Sequence, residues 1–175
     1  MSDVASAAST SWPGALALSA GVANDTATYE FSVSAAPAIT IQSYGYGGSG
    51  GAPGGTNLTG VVIPAGGFDP SICVFVGAGP SATFLASNDD GARMPPSLNG
   101  SPCPDSALSL TLGRGTDALV VQAFDNLSLA ENLGSGTLGD GFTGLGNYDL
   151  SRTNNFAIDI GGSFVDTLFA NGLVE

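Results

Sequence analysis

The stretch Ala27-Thr-Tyr-Glu-Phe-Ser-Val-Ser34 alternates without a break. Tyr29, Phe31 and Val33 fall on one side of an extended chain, and Thr28, Glu30 and Ser32 on the other. Successive side chains of a strand point to opposite faces, so this period of two marks a strand with one apolar and one polar face. The period resumes after Pro37 with Ile39 and Ile41. It returns in Leu108, Leu110 and Leu112, and again in Phe156, Ile158 and Ile160. Ile72–Val76 and Ala118–Phe124 are apolar on both sides and fit inner strands. Ala15–Ser19, Leu58–Ile63 and Ala82–Ser87 are weaker candidates. Eight or nine short strands with Gly and Pro turns predict an all-β chain, an antiparallel β-sandwich or jelly roll. Residues 27–175 are expected to form this single domain. Residues 1–26 are weakly patterned and read as an N-terminal extension or as a strand exchanged with a neighbouring copy. Gly162–Glu175 fits either a strand or a short turn of helix.

Charge narrows the function. Fifteen carboxylates face three arginines, with no Lys and no His, for a net charge of −12 in 175 residues. Nothing here could neutralise phosphates, so neither nucleic acid nor an anionic membrane surface is an expected partner. Without His the usual general base and the commonest transition-metal ligand are both missing. Serine and cysteine therefore lack an activating imidazole, and the expectation is a protein that is not an enzyme. No apolar run approaches the ~18 residues of a membrane span. Met1–Thr10 is small and polar, without the basic and apolar regions of a signal peptide. The Lys-free composition, rich in Gly, Ser, Thr, Asn and Asp, nevertheless favours a secreted or cell-surface setting.

Three connections are too long for hairpins: Gly45–Asn57, Asn88–Asp105 and Asn126–Asn155. Oxygen ligands concentrate in and beside them. Asn88, Asp89 and Asp90 form a cluster before Gly91, Asp105 closes the same loop, and Asp69 and Asp125 stand at predicted strand ends. A hard cation with six to eight oxygen ligands suits such a set, and Ca²⁺ tolerates irregular geometry. Asn-Asp-Asp-Gly is also simply a good turn, and both readings stand on spacing alone. Cys73 and Cys103 would close a loop of about 30 residues as a disulfide, worth roughly 3–4 kcal/mol. Alternatively, Cys73 is a small buried hydrophobe beside an unrelated loop thiol. Tyr44 and Tyr46 flank Gly45 and could stack on a sugar, or could belong to core and turn packing.

Several blocks occur in a familiar order. They are Gln42-Ser-Tyr-Gly-Tyr-Gly-Gly48, Ile63-Pro-Ala-Gly-Gly-Phe-Asp-Pro70, Ala86-Ser-Asn-Asp-Asp-Gly91 and Asp105-Ser-Ala-Leu-Ser-Leu-Thr-Leu112. Gln122-Ala-Phe-Asp-Asn126, Leu138-Gly-Asp-Gly-Phe-Thr143 and Asn154-Asn-Phe-Ala-Ile-Asp-Ile160 follow. Over about residues 27–160 the chain resembles a family of uncharacterised bacterial secreted proteins whose members often end in a PEP-CTERM sorting signal. That family in turn looks like the bacterial pre-peptidase C-terminal domain, a jelly-roll sandwich appended to secreted proteases. The resemblance implies an exported, calcium-friendly sandwich of surface or matrix type, with Asp69, Asp89 and Asp90 as metal ligands. Expected partners are copies of itself, other matrix components or polysaccharide.

Overall fold

The computed structural model describes residues 8–16, 26–33, 38–46, 55–91, 104–144, 153–162 and 165–170. In chain order the strands are β1 (Ala8–Ala15), β2 (Thr26–Val33), β3 (Ala38–Tyr44), β4 (Gly55–Thr56), β5 (Val62–Ile63) and β6 (Pro70–Val76). There follow β7 (Thr83–Asn88), β8 (Ala107–Thr111), β9 (Gly115–Ala123), one short helix α1 (Leu129–Leu133), β10 (Asn155–Gly162) and β11 (Val165–Ala170). A four-stranded sheet has the order β1-β10-β3-β8, and a five-stranded sheet the order β11-β2-β9-β6-β7. Every pairing is antiparallel. With β11 and the β4–β5 hairpin set aside, the remaining strands follow the jelly-roll order, two interlocked Greek keys. The expected all-β sandwich is therefore observed, with β6 and β9 as inner strands.

The alternating residues named from the sequence fill the space between the sheets. Phe31, Ile39, Ile41, Ile72, Val74, Leu119, Val121, Phe156, Ile158 and Ile160 are all buried in one cluster. Trp12 belongs to the same cluster and stacks on Tyr29, ring centroids 5.1 Å apart and planes 15° apart. The stretch 1–26, expected as an extension or exchanged strand, contributes to this core through its described residues. Within it, β1 is an edge strand of the chain's own sheet, in register with β10 from Ala8↔Gly162 to Ala15↔Asn155. Pro13 is tolerated because an edge strand leaves one row of N–H groups without a ladder partner. The weak strand candidate at Ala15–Ser19 lies, beyond Leu16, outside the described residues. Leu58–Ile63 is mostly a turn, stranded only at Val62–Ile63. Within Gly162–Glu175, Val165–Ala170 is a strand.

A second apolar cluster lies on the outer face of the five-stranded sheet. Cys73, Phe75, Ala118 and Val120 project outward there and are covered by Ala130 of α1, with Leu138 and Phe142 packed against them. The first half of the long Asn126–Asn155 connection is thus ordered as a lid over the sheet. Ser128 caps α1 by accepting from the Glu131 N–H (3.0 Å), and Gly134 ends it in the left-handed region at φ 69°.

The jelly-roll path has a consequence for function. Tyr44 lies beside Ala157, Thr26 beside Gln122, Pro70 beside Ala123 and Ile72 beside Asn88. The ends of β1, β3, β7 and β9 and the starts of β2, β6, β8 and β10 therefore share one end of the sandwich. All three long connections open there, and the short turns occupy the other end.

Candidate functional site

Among the described residues, that end carries carboxylates and no Lys or Arg. Asp69 precedes β6, Asp89 and Asp90 follow β7, Asp105 precedes β8, Asp125 follows β9, and Glu131 sits on α1. The only Lys or Arg among the described residues is Arg114, in the β8–β9 turn at the opposite end. Burial pushes the Asp69 carboxyl up to about 7, reinforced by the Asp89, Asp90, Asp105 and Asp125 charges. The Asp89 carboxyl rises to about 6, through burial first and then the Asp90, Glu131 and Asp125 charges. Asp69 Oδ1 and Asp89 Oδ1 are both buried and have no hydrogen-bond partner. Buried polar atoms are nearly always paired, so two orphaned carboxylate oxygens in one acidic patch call for an explanation.

Main-chain oxygens crowd the same place. The hydroxyl of Ser106, wholly buried, lies 2.6 Å from the Pro70 carbonyl, 2.8 Å from that of Asn88 and 2.7 Å from that of Asp89. One hydroxyl carries one proton, so it satisfies one of these three acceptors at a time.

The sequence-predicted ligands divide into two groups. Asp69, Asp89, Asp90 and Asp125 face one another electrostatically. Asn88 and Asp105 also serve as internal ties. Asn88 Oδ1 accepts from the Ala107 N–H (3.0 Å), joining the two sheets. Asp105 is 1% exposed, and its Oδ1 accepts from Ser43 Oγ (3.1 Å) and the Tyr46 N–H (3.4 Å). Among the described residues, no three His, Cys, Asp or Glu side chains converge closely enough to hold a metal ion by themselves. Ligation here has to draw on carbonyl oxygens and water as well, which Ca²⁺ accepts.

Glu131 is the member that sequence reasoning missed. Its Oε2 accepts from Gln122 Nε2 (2.9 Å) and from Cys73 Sγ (3.1 Å), while Gln122 Oε1 is buried without a partner. Cys73 is therefore a free thiol, and the expected bridge to Cys103 is not formed by it. Cys103 itself lies outside the described residues. Burial, and then the Glu131 carboxylate, push the Cys73 thiol far up, which makes it an inert donor. Of the two readings of the tyrosines, packing describes Tyr44. Tyr44 is 9% exposed, packed with Ile63 and Ala157 beneath the β4–β5 hairpin, and Tyr46 is half-buried. Tyr44 therefore does not form an exposed platform.

Compared with protein-family models, curated proteins and solved structures, the chain matches none.

Proposed function

We propose that this chain is a secreted, non-catalytic structural domain of the bacterial cell surface or matrix, and that its acidic end binds Ca²⁺. The observation that carries the reading is the pair of buried, unpartnered oxygens on Asp69 and Asp89, in a patch where the described residues include no Lys or Arg. Asp90 and Asp125, with the Asn88 and Asp89 carbonyls, complete an all-oxygen donor set of the kind a hard cation prefers. A bound divalent ion supplies charge compensation there, tying the start of β6 to the ends of β7 and β9. The resemblance to PEP-CTERM-bearing secreted proteins and to the pre-peptidase C-terminal domain supports the same setting. Because β1 already fills its own sheet, the structural role needs no strand exchange to complete the sandwich.

Calorimetric titration with Ca²⁺ tests this. Heat with saturation is expected for the native chain and its loss for Asp69→Asn and Asp89→Asn. An isotherm unchanged by either substitution contradicts the assignment. The alternative is an extracellular carbohydrate-binding module; Tyr44 is too buried to serve it as an exposed platform, and another surface carries it better.

A further inference from the structure

The outer face of the four-stranded sheet is built differently from the acidic end. Register places two rows of residues across it. One row runs Ser9, Gly161, Thr40, Ser109, and the next Ser11, Asp159, Gln42, Ala107. The rows are neutral and rich in hydroxyl groups, apart from the one carboxylate. Gly161 keeps the floor flat, since a Cβ there would meet Thr40 Oγ1 at 3.0 Å. The β4–β5 hairpin rises along one side, with Leu58 58% exposed. Between hairpin and sheet lies a cavity of about 210 Å³, lined by Thr40, Gln42, Tyr44, Leu58, Ser109 and Asp159 among others. At about 30 Å³ per water it has room for roughly seven waters, or one small ring.

Asp159 supplies the directional feature. It is 3% exposed, its Oδ2 accepts from the Leu58 N–H (2.8 Å), the Tyr44 hydroxyl hydrogen-bonds the same carboxylate, and its Oδ1 is buried with no partner of its own. A buried acceptor beside a cavity invites a donor from whatever enters. We propose that this cavity binds one neutral sugar residue, a hydroxyl of which donates to Asp159 Oδ1. Thr40 and Ser109 exchange hydrogen bonds with neighbouring hydroxyls, and the C–H face of the ring lies against Leu58. The chemistry selects a polyol because Thr and Ser hydroxyls both donate and accept. An anion would meet the carboxylate, and an ammonium offers donors only. This inference deepens the carbohydrate alternative and is independent of the calcium reading.

The test is saturation-transfer NMR on the full chain with glucose, galactose, mannose, fucose and N-acetylglucosamine, followed by calorimetry on any binder. Ser109→Trp fills the cavity from the exposed edge strand β8, away from the hairpin, and should abolish binding while leaving the melting temperature unchanged. Asp159→Asn should weaken binding by about tenfold or more, as expected when a site loses a specific polar contact. Asp69→Asn should leave it unchanged, which separates this site from the acidic end. The proposal is overturned if none of the five sugars binds, or if a folded Ser109→Trp variant binds them as well as the native chain. It is equally overturned if propylammonium binds at this cavity and the sugars do not.

Discussion

Asp69 at the start of β6 and Asp89 at the end of β7 each keep one oxygen buried without a partner, and burial first, then the Asp89 carboxylate, raises the proton affinity of Asp69. The jelly-roll path creates this relationship. Strands β6 and β7 form the one consecutive pair within the five-stranded sheet, and both open at the end where the long connections gather. Like charges are tolerated there because β6, β7 and β9 are held by the apolar clusters on both faces of the sheet.

The first prediction concerns pH without metal. An ordinary carboxyl titrates near about 4, whereas Asp69 is raised to about 7 and Asp89 to about 6. The folded state therefore binds these protons more tightly than the unfolded chain. Their contribution to stability is complete below about pH 4 and is lost as pH rises through 6 and 7. In EDTA the melting temperature should fall between about pH 5 and about pH 8, and the double variant Asp69→Asn/Asp89→Asn should flatten that fall. An unchanged slope in the double variant contradicts the assignment of these two groups.

A second prediction concerns β1. Trp12 is 3% exposed and stacks on Tyr29. Trp12→Ala should cost about 3–5 kcal/mol, the range for truncating a buried aromatic ring. Urea denaturation measures this. A loss within about 0.5 kcal/mol, the scale of a surface substitution, would mean that β1 is not part of the core.

Much of this architecture was legible. The period-two runs at Tyr29–Val33 and Leu108–Leu112 name strands because one face is more deeply buried than the other, and Phe156–Ile160 keeps the period although Ala157 and Asp159 are buried on its other face. β1 was not legible, because Ser9, Thr10, Ser11, Pro13 and Gly14 give no period and Trp12 alone carries the burial. Glu131 escaped notice because a five-residue helix is too short to display a repeat. Tyr44 stood open between a sugar contact and packing because its buried partners, Ile63 and Ala157, lie well beyond it in the chain. The acidic residues were visible as types and spacing. That Asn88 and Asp105 tie the sheets together, while Asp69 and Asp89 are left with open oxygens, depends on pairings across the sandwich.

The third prediction follows from the Cys73–Glu131 contact. In the native chain Cys73 should resist alkylation by iodoacetamide, and it should label readily in denaturant, since it is buried, bonded and weakly acidic. Peptide mapping by mass spectrometry reads the site directly. Recovery of a Cys73–Cys103 disulfide peptide from native protein contradicts the free thiol.

The central claim is that the acidic end is completed by calcium, and a thermal melt in millimolar Ca²⁺ against EDTA tests it most directly. A ligand that binds only the folded state stabilises by RT ln(1 + [L]/Kd), about 2.7 kcal/mol at a hundredfold excess over Kd. For a chain of 175 residues that raises the midpoint by several degrees. The account predicts this rise for the native chain and its loss in Asp69→Asn/Asp89→Asn. Equal midpoints in Ca²⁺ and EDTA for the native chain, or an undiminished rise in the double variant, would contradict it.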